Sequence, residues 1–220
     1  HLSIRRQRQM CIRDRPYHGM PAIATIGART GKYMEIPEAA KGPTINPAKG
    51  YRIQELGRGL YMVTDNVYQA MFVVHEKGVV LADAPPPLAG FIAKAIREVT
   101  GKPITHIIYS HAHVDHIGAA GELLATLPRR PVIIAHEETQ TILARARDPK
   151  RPLPGVTFRD KYTLKVGGQR LDLSYHGNGH EPGNIFILAP EQRTLMVVDV
   201  IFPGWMPWSC LLYTSDAADE

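Results

Sequence analysis

Thr105-His106-Ile107-Ile108-Tyr109-Ser110-His111-Ala112-His113-Val114-Asp115-His116 runs an apolar stretch straight into a cluster of metal-type side chains. Residues 105–109 read as a strand buried on both faces, since the run is short, apolar and rich in β-formers. Side chains alternate along a strand. His111 and His113, two residues apart where the strand runs out, therefore leave on the same side. Asp115 and His116 follow in the turn to the next helix, where the chain can bring them back toward the first pair. Neutral imidazole and carboxylate suit zinc, iron or manganese. Four of the ten histidines of the chain lie between His106 and His116.

Upstream, short β-type runs at 51–56, 59–64, 67–74 and 79–82 are separated by the turn signals Gly57-Arg58, Asp65-Asn66 and Lys77-Gly78. They predict an antiparallel meander of about four strands. Pro85–Pro87 ends it and suits the first turn of a helix in which Leu88, Ile92, Ala95, Ile96 and Val99 share one face. Downstream, the pattern predicts a helix at 119–127, a strand at 132–135 and a helix at 137–147. A charged, proline-rich surface loop follows at 148–155. Strands are expected at 161–166, 171–175, 185–188 and 194–198, with Gly167-Gly168 as a turn. Meander first, then strands alternating with helices, argues for a mixed α/β arrangement of sheets covered by helices.

The chain has 220 residues, 44% apolar and 21% charged, which fits a globular domain and excludes a disordered or fibrous one. No apolar stretch has the roughly 18–20 residues of a membrane-spanning helix, so no membrane partner is expected. A formal charge of +5 is too small and scattered to predict nucleic-acid binding. Cys11 and Cys210 form neither a disulfide framework nor a metal-type pair.

The ends read differently from the middle. Residues 210–220 resemble a translated sequencing-library adapter, and the reverse complement of the same DNA encodes residues 5–15. Residues 1–15 and 210–220 are thus expected to be adapter-like tails without packing against the domain. Residues 16–50 are expected to form an extended N-terminal arm and 51–209 a domain lacking its C-terminal part. On this reading a signal peptide would be lost with the natural start. Localisation stays unknown, with the cytoplasm as default.

His111-x-His113-x-Asp115-His116 at a strand end resembles the signature of the metallo-β-lactamase fold superfamily of metal-dependent hydrolases. Gly179-His180-Glu181-Pro182-Gly183 is similar to that family's Gly-His-x-Pro-Gly loop. Met196-Val197-Val198-Asp199 is similar to its apolar strand ending in a bridging aspartate. The resemblance implies an αββα sandwich of two mixed β-sheets flanked by helices. It also implies a metal site built from His111, His113, Asp115, His116, His180 and Asp199, with Asp115 as the catalytic residue that orients a metal-activated water. His111, His113 and His180 would hold the first zinc, Asp115 and His116 the second, and Asp199 would bridge. The family's further second-site histidine has no counterpart, because no histidine follows His180. One zinc ion is therefore expected in this chain and two in a complete protein.

The implied activity is hydrolysis of a small-molecule ester, thioester, lactone or phosphoester, since β-lactamases proper lack the bridging aspartate. The alternatives are a mononuclear iron sulfur dioxygenase on the same fold, or a metal-binding fragment without turnover. Oligomeric state is not readable. His75, His106 and His136 are expected to be packing residues, and His176 to be a partner that orients a ligand. Asp83 should cap the following helix or fix His111 or His116. The aromatic group Phe202, Trp205 and Trp208 is either core cover or a wall of the substrate mouth.

Overall fold

In the computed structural model, which describes residues 42–201, the strands pair into two sheets. The expectations for residues 1–15 and 210–220, for most of the arm at 16–50, and for the aromatic group lie outside the described residues.

The larger sheet has seven strands in chain order. β1 (Arg52–Gly57), β2 (Leu60–Thr64), β3 (Gln69–His75) and β4 (Gly78–Ala82) form the antiparallel meander. β5 (Ile104–Ile108), β6 (Val132–His136) and β7 (Val156–Phe158) then add in parallel. Parallel neighbours need long crossovers. These are α1 (Ala89–Val99), entered through a 3-10 turn at Pro86–Leu88, then α2 (Val114–Ile117) with α3 (Ala120–Thr126), and α4 (Glu137–Ala146). The smaller sheet, in order β11-β10-β9-β8, comprises β8 (Lys161–Val166), β9 (Gln169–Tyr175), β10 (Ile185–Ala189) and β11 (Thr194–Val197).

The two-sheet sandwich stands as expected, but only the larger sheet is mixed. The described strands of the smaller one are antiparallel throughout, because each connects to the next by a turn or loop too short for a parallel crossover. Its first turn has Gly167 and Gly168 at φ +48° and +79°, the left-handed pair that a two-residue hairpin requires. β7 and α2 were not foreseen, since three or four residues carry too little periodicity to register.

Alternation along the strands divides the core in two. Phe72, Leu81, Ile107 and Ile133 face α1, α3 and α4, meeting Ile92, Ile96, Leu123 and Leu143. Met71, Val73, Val80, Ile108 and Ile134 face the smaller sheet, meeting Leu171, Leu173, Ile185 and Ile187. β5 is thus covered on both sides, with Ile107 and Ile108 wholly buried. No described helix covers the other face of the smaller sheet. The C-terminal ends of β4 and β5 open side by side where the two sheets meet, and there the chain places its histidines.

Candidate metal centre

Asp83 follows β4 with a left-handed backbone, φ +64°, and is fully buried. Its Oδ1 accepts the Ser110 N–H at 2.8 Å. It does not cap a helix, because the N-cap position is Pro85 and no side chain there accepts a bond from the first turn. Nor does it reach His111 or His116 by a side-chain hydrogen bond. Asp83 ties the end of β4 to the exit of β5, one residue before the first site histidine. Ala84 extends the tie, donating to His116 O at 2.9 Å and accepting from Ala119 N at 3.0 Å.

The loop between β9 and β10 is held as firmly. Gly183 has φ +89°, and a Cβ there would stand 2.5 Å from Thr139 Oγ1 and 2.7 Å from Thr139 N on α4. Only glycine admits that contact. Asn184 N donates to Glu181 O and Asn184 Nδ2 to Val198 O, both at 3.0 Å, while Ile185 N donates to Ser110 O at 2.9 Å. The loop carrying His180 is therefore bonded both to the β5 exit and to the residue before Asp199. Asp199, just past β11, also has a left-handed backbone, φ +58°. Aspartate tolerates this conformation better than most residues.

These ties bring all six predicted residues together. Donor atoms of His111, His113, His180 and Asp199 lie within 4.8 Å of one another, and so do those of Asp115, His116 and Asp199. His113 Nδ1 is 2.9 Å from His180 Nε2. Asp199 Oδ2 is 3.4 Å from His180 Nε2, 3.6 Å from His111 Nε2 and 2.8 Å from His116 Nε2. Donors around a tetrahedral zinc at 2.0–2.1 Å stand about 3.3 Å apart. Three separations in the first group, 2.9, 3.4 and 3.6 Å, bracket that spacing. His111 Nε2 is buried with no hydrogen-bond partner, although the other nitrogen of its ring meets Ser110 Oγ at 2.9 Å. A buried orphan acceptor facing other acceptors is costly unless a cation satisfies them. The residues present fit a metal ion.

The electrostatics agree. Burial, reinforced by the neighbouring imidazoles, holds His111 well below the usual histidine value. Burial also lowers His113, and lowers His180 to about 4. All three are neutral near pH 7, the form that binds metal. Burial opposes charge on His116 too, but Asp199 and Asp115 outweigh it and raise this residue well above the ordinary range. Against the pull of burial, contact with His116 lowers Asp115 to about 2 and also lowers Asp199.

Among the described residues, the remaining histidines stay outside this cluster. His75 and His106 share the hydroxyl of Thr105 at the far end of β5. His136 caps α4 by accepting the Glu138 N–H. His176 is exposed and bonds Ser174 Oγ, so it orients no site histidine. Two partners escaped the sequence reading. Tyr68 OH lies 3.3 Å from Asp115 Oδ2. Glu181 reaches both Ala112 N and His113 Nε2, and burial raises it to about 7. Its position beside His180 was the available signal, since metal-binding imidazoles need oriented partners.

Comparison with known proteins agrees with this arrangement. The chain is 28% identical over 149 residues to 2,4-dinitroanisole O-demethylase subunit alpha from Nocardioides sp., covering 66% of this chain and 44% of that protein. It spans about half the length of the curated relatives it matches, at 44% and 59% for two of them. Its fold superposes on a metallo-beta-lactamase from Pontibacter korlensis with a TM-score of 0.55 and 20% identity, over 66% of this chain and 69% of that one. A mutant flavo di-iron protein from Thermotoga maritima superposes with a TM-score of 0.58 and 19% identity, over 68% and 42%. The profile of the Metallo-beta-lactamase superfamily matches residues 63–216, a span that takes in every residue of the cluster, and the chain belongs to that superfamily.

Proposed function

We propose that this chain is a zinc-dependent hydrolase that uses a metal-activated water to cleave a small-molecule ester, thioester, lactone or phosphoester. One observation carries the reading: a single oxygen, Asp199 Oδ2, lies within 3.6 Å of donors from both groups, so the two share a carboxylate as a paired-cation site does. His111, His113 and His180 would hold the first cation and Asp115 with His116 the second, with Asp199 between them. Divalent cations bound there supply Lewis acidity and lower the pKa of water from about 15.7 to around 7. The chain supplies the rest. Asp115, held by His116 at 3.4 Å and Tyr68 at 3.3 Å, is fixed to orient the attacking water. The walls formed by Asp83, Ser110 and Asn184 hold these groups without rearrangement, which keeps the reacting geometry preorganised.

The first group offers four donors and the second three, one of them shared. One tightly bound zinc per chain follows. Iron chemistry is the second reading, favoured by the likeness to flavo di-iron proteins and by a donor set that suits iron as well. Metal analysis by mass spectrometry, with a panel of thioesters, lactones and phosphoesters, separates them. Zinc with chelator-sensitive turnover is the expected result. One iron per chain with oxygen uptake on a persulfide substrate overturns the proposal.

A further inference from the structure

We propose that Glu181 is a positioning residue that determines which nitrogen of His113 faces the metal. Both carboxylate oxygens are engaged. Oε2 accepts the Ala112 N–H at 2.8 Å, and Oε1 lies 3.2 Å from His113 Nε2. Ala112 is buried between the two site histidines, and its carbonyl accepts from Arg151 Nη1 at 2.7 Å. A carboxylate on one side and a guanidinium on the other clamp the short backbone segment that carries His111 and His113. Both come from loops remote in sequence.

The second oxygen does a different job. A neutral imidazole has one N–H and one lone pair. An ionised carboxylate can only accept, so it draws the proton of His113 to Nε2 and leaves the lone pair on Nδ1. Nδ1 is the atom that faces His180 Nε2 at 2.9 Å. His111 is arranged the opposite way, with Nδ1 on Ser110 Oγ and Nε2 in the cluster. Two histidines only two residues apart thus present different nitrogens, and Glu181 specifies the second.

The inference rests on the metal-site reading, and its test keeps the two apart. Glu181→Gln retains the shape and one acceptor oxygen. If that oxygen keeps Ala112 N–H, the amide NH2 faces His113 Nε2 and the proton moves to Nδ1, where it blocks metal. In the metal-free chain at pH 8, long-range proton–nitrogen NMR of labelled histidine should report the Nε2–H form of His113 in the parent and the Nδ1–H form in the variant. Zinc affinity, measured by chelator competition, should fall 10–100-fold, the usual loss when a histidine's outer partner is removed. Glu181→Asp, which restores a carboxylate, should recover the Nε2–H form. A parent chain whose His113 carries Nδ1–H overturns the proposal even if no variant folds. So does a Glu181→Gln chain that binds zinc like the parent. Failure of the parent to bind zinc at all would instead sink the metal-site reading, while the tautomer measurement still decides the role of Glu181.

Discussion

Strand β5 carries histidine clusters at both ends, and they are built on opposite rules. At its start, the hydroxyl of Thr105 lies 2.9 Å from His75 Nε2 and 2.9 Å from His106 Nδ1, and 3.2 Å from the Val79 carbonyl. His75 Nδ1 accepts from Lys77 N at 3.3 Å. A hydroxyl that donates to the carbonyl can accept from both rings, so this cluster closes its own hydrogen bonds. At the other end, imidazole nitrogens face one another and a carboxylate, and His111 Nε2 has no partner. The first cluster gathers two histidines and the second four, but number alone does not set their roles apart. The difference is a buried ring nitrogen left without a partner, which fits one end to hold a cation and leaves the other a structural knot.

Removing one ring from each end should have the largest and most unequal effects. His113→Ala should abolish tight zinc binding and lower turnover by more than about 100-fold, beyond the 10–100-fold expected for losing an outer partner. His106→Ala should leave zinc stoichiometry unchanged. Metal analysis of the purified variants checks both, and equal zinc loss in the two would mean that the ends are not distinct.

A change in the middle of the strand should instead affect both ends alike. Ile108 is wholly buried between the sheets, so Ile108→Ala removes apolar contacts and leaves a cavity. The cost should be about 2–5 kcal/mol, read by urea unfolding. The measurement is made on metal-free chain so that metal linkage does not enter. A loss below about 1 kcal/mol would show that the two-sided burial of β5 is not what holds the site in place.

Thr105→Val tests the closed cluster alone. It replaces the shared hydroxyl with a methyl and strands two ring nitrogens, one of them on a buried histidine. An unsatisfied buried polar group costs about 1–3 kcal/mol. Zinc affinity should not change. A shift in affinity would mean that strain at one end of β5 travels to the other.

The two ends of β5 also differ in how far local sequence dictates them. The spacing of His111, His113, Asp115 and His116 is local, and alternation along a strand turns it directly into geometry. The double-sided burial of β5 was legible for the same reason, as was the meander with its turn residues. The role of Asp83 was misread and that of Glu181 passed unseen, because they depend on residues 27 and 69 positions away and no periodicity encodes such a contact. Asp83 has the composition of a helix cap, yet its left-handed backbone turns the carboxylate back onto Ser110. The antiparallel pairing of the described strands of the smaller sheet follows from the short connections between them, too short for a parallel crossover.

The smallest effect concerns protons. In metal-free chain, burial lowers His75 and lowers His180 to about 4, while Asp199 and Asp115 overcome burial and raise His116. The signs follow from linkage. Where the folded value is depressed, the unfolded chain protonates first as pH falls below about 6.5. His180 therefore withdraws stability between about 6.5 and about 4. Where the folded value is raised, the contribution is complete below about 6.5 and is lost as pH rises through the folded value. His116 therefore withdraws stability on the alkaline side. Histidine ring-proton NMR of chelator-treated protein should show His180 titrating near 4 and His116 well above 6.5. Adding one equivalent of zinc should remove the titration of His180 from the accessible range, since a coordinated nitrogen takes no proton, and leave that of His75 in place. If zinc moves His75 as well, the two ends of β5 are electrostatically one site. If His116 titrates below 6.5 without metal, the carboxylates do not pair with it as their distances of 2.8 and 3.4 Å require.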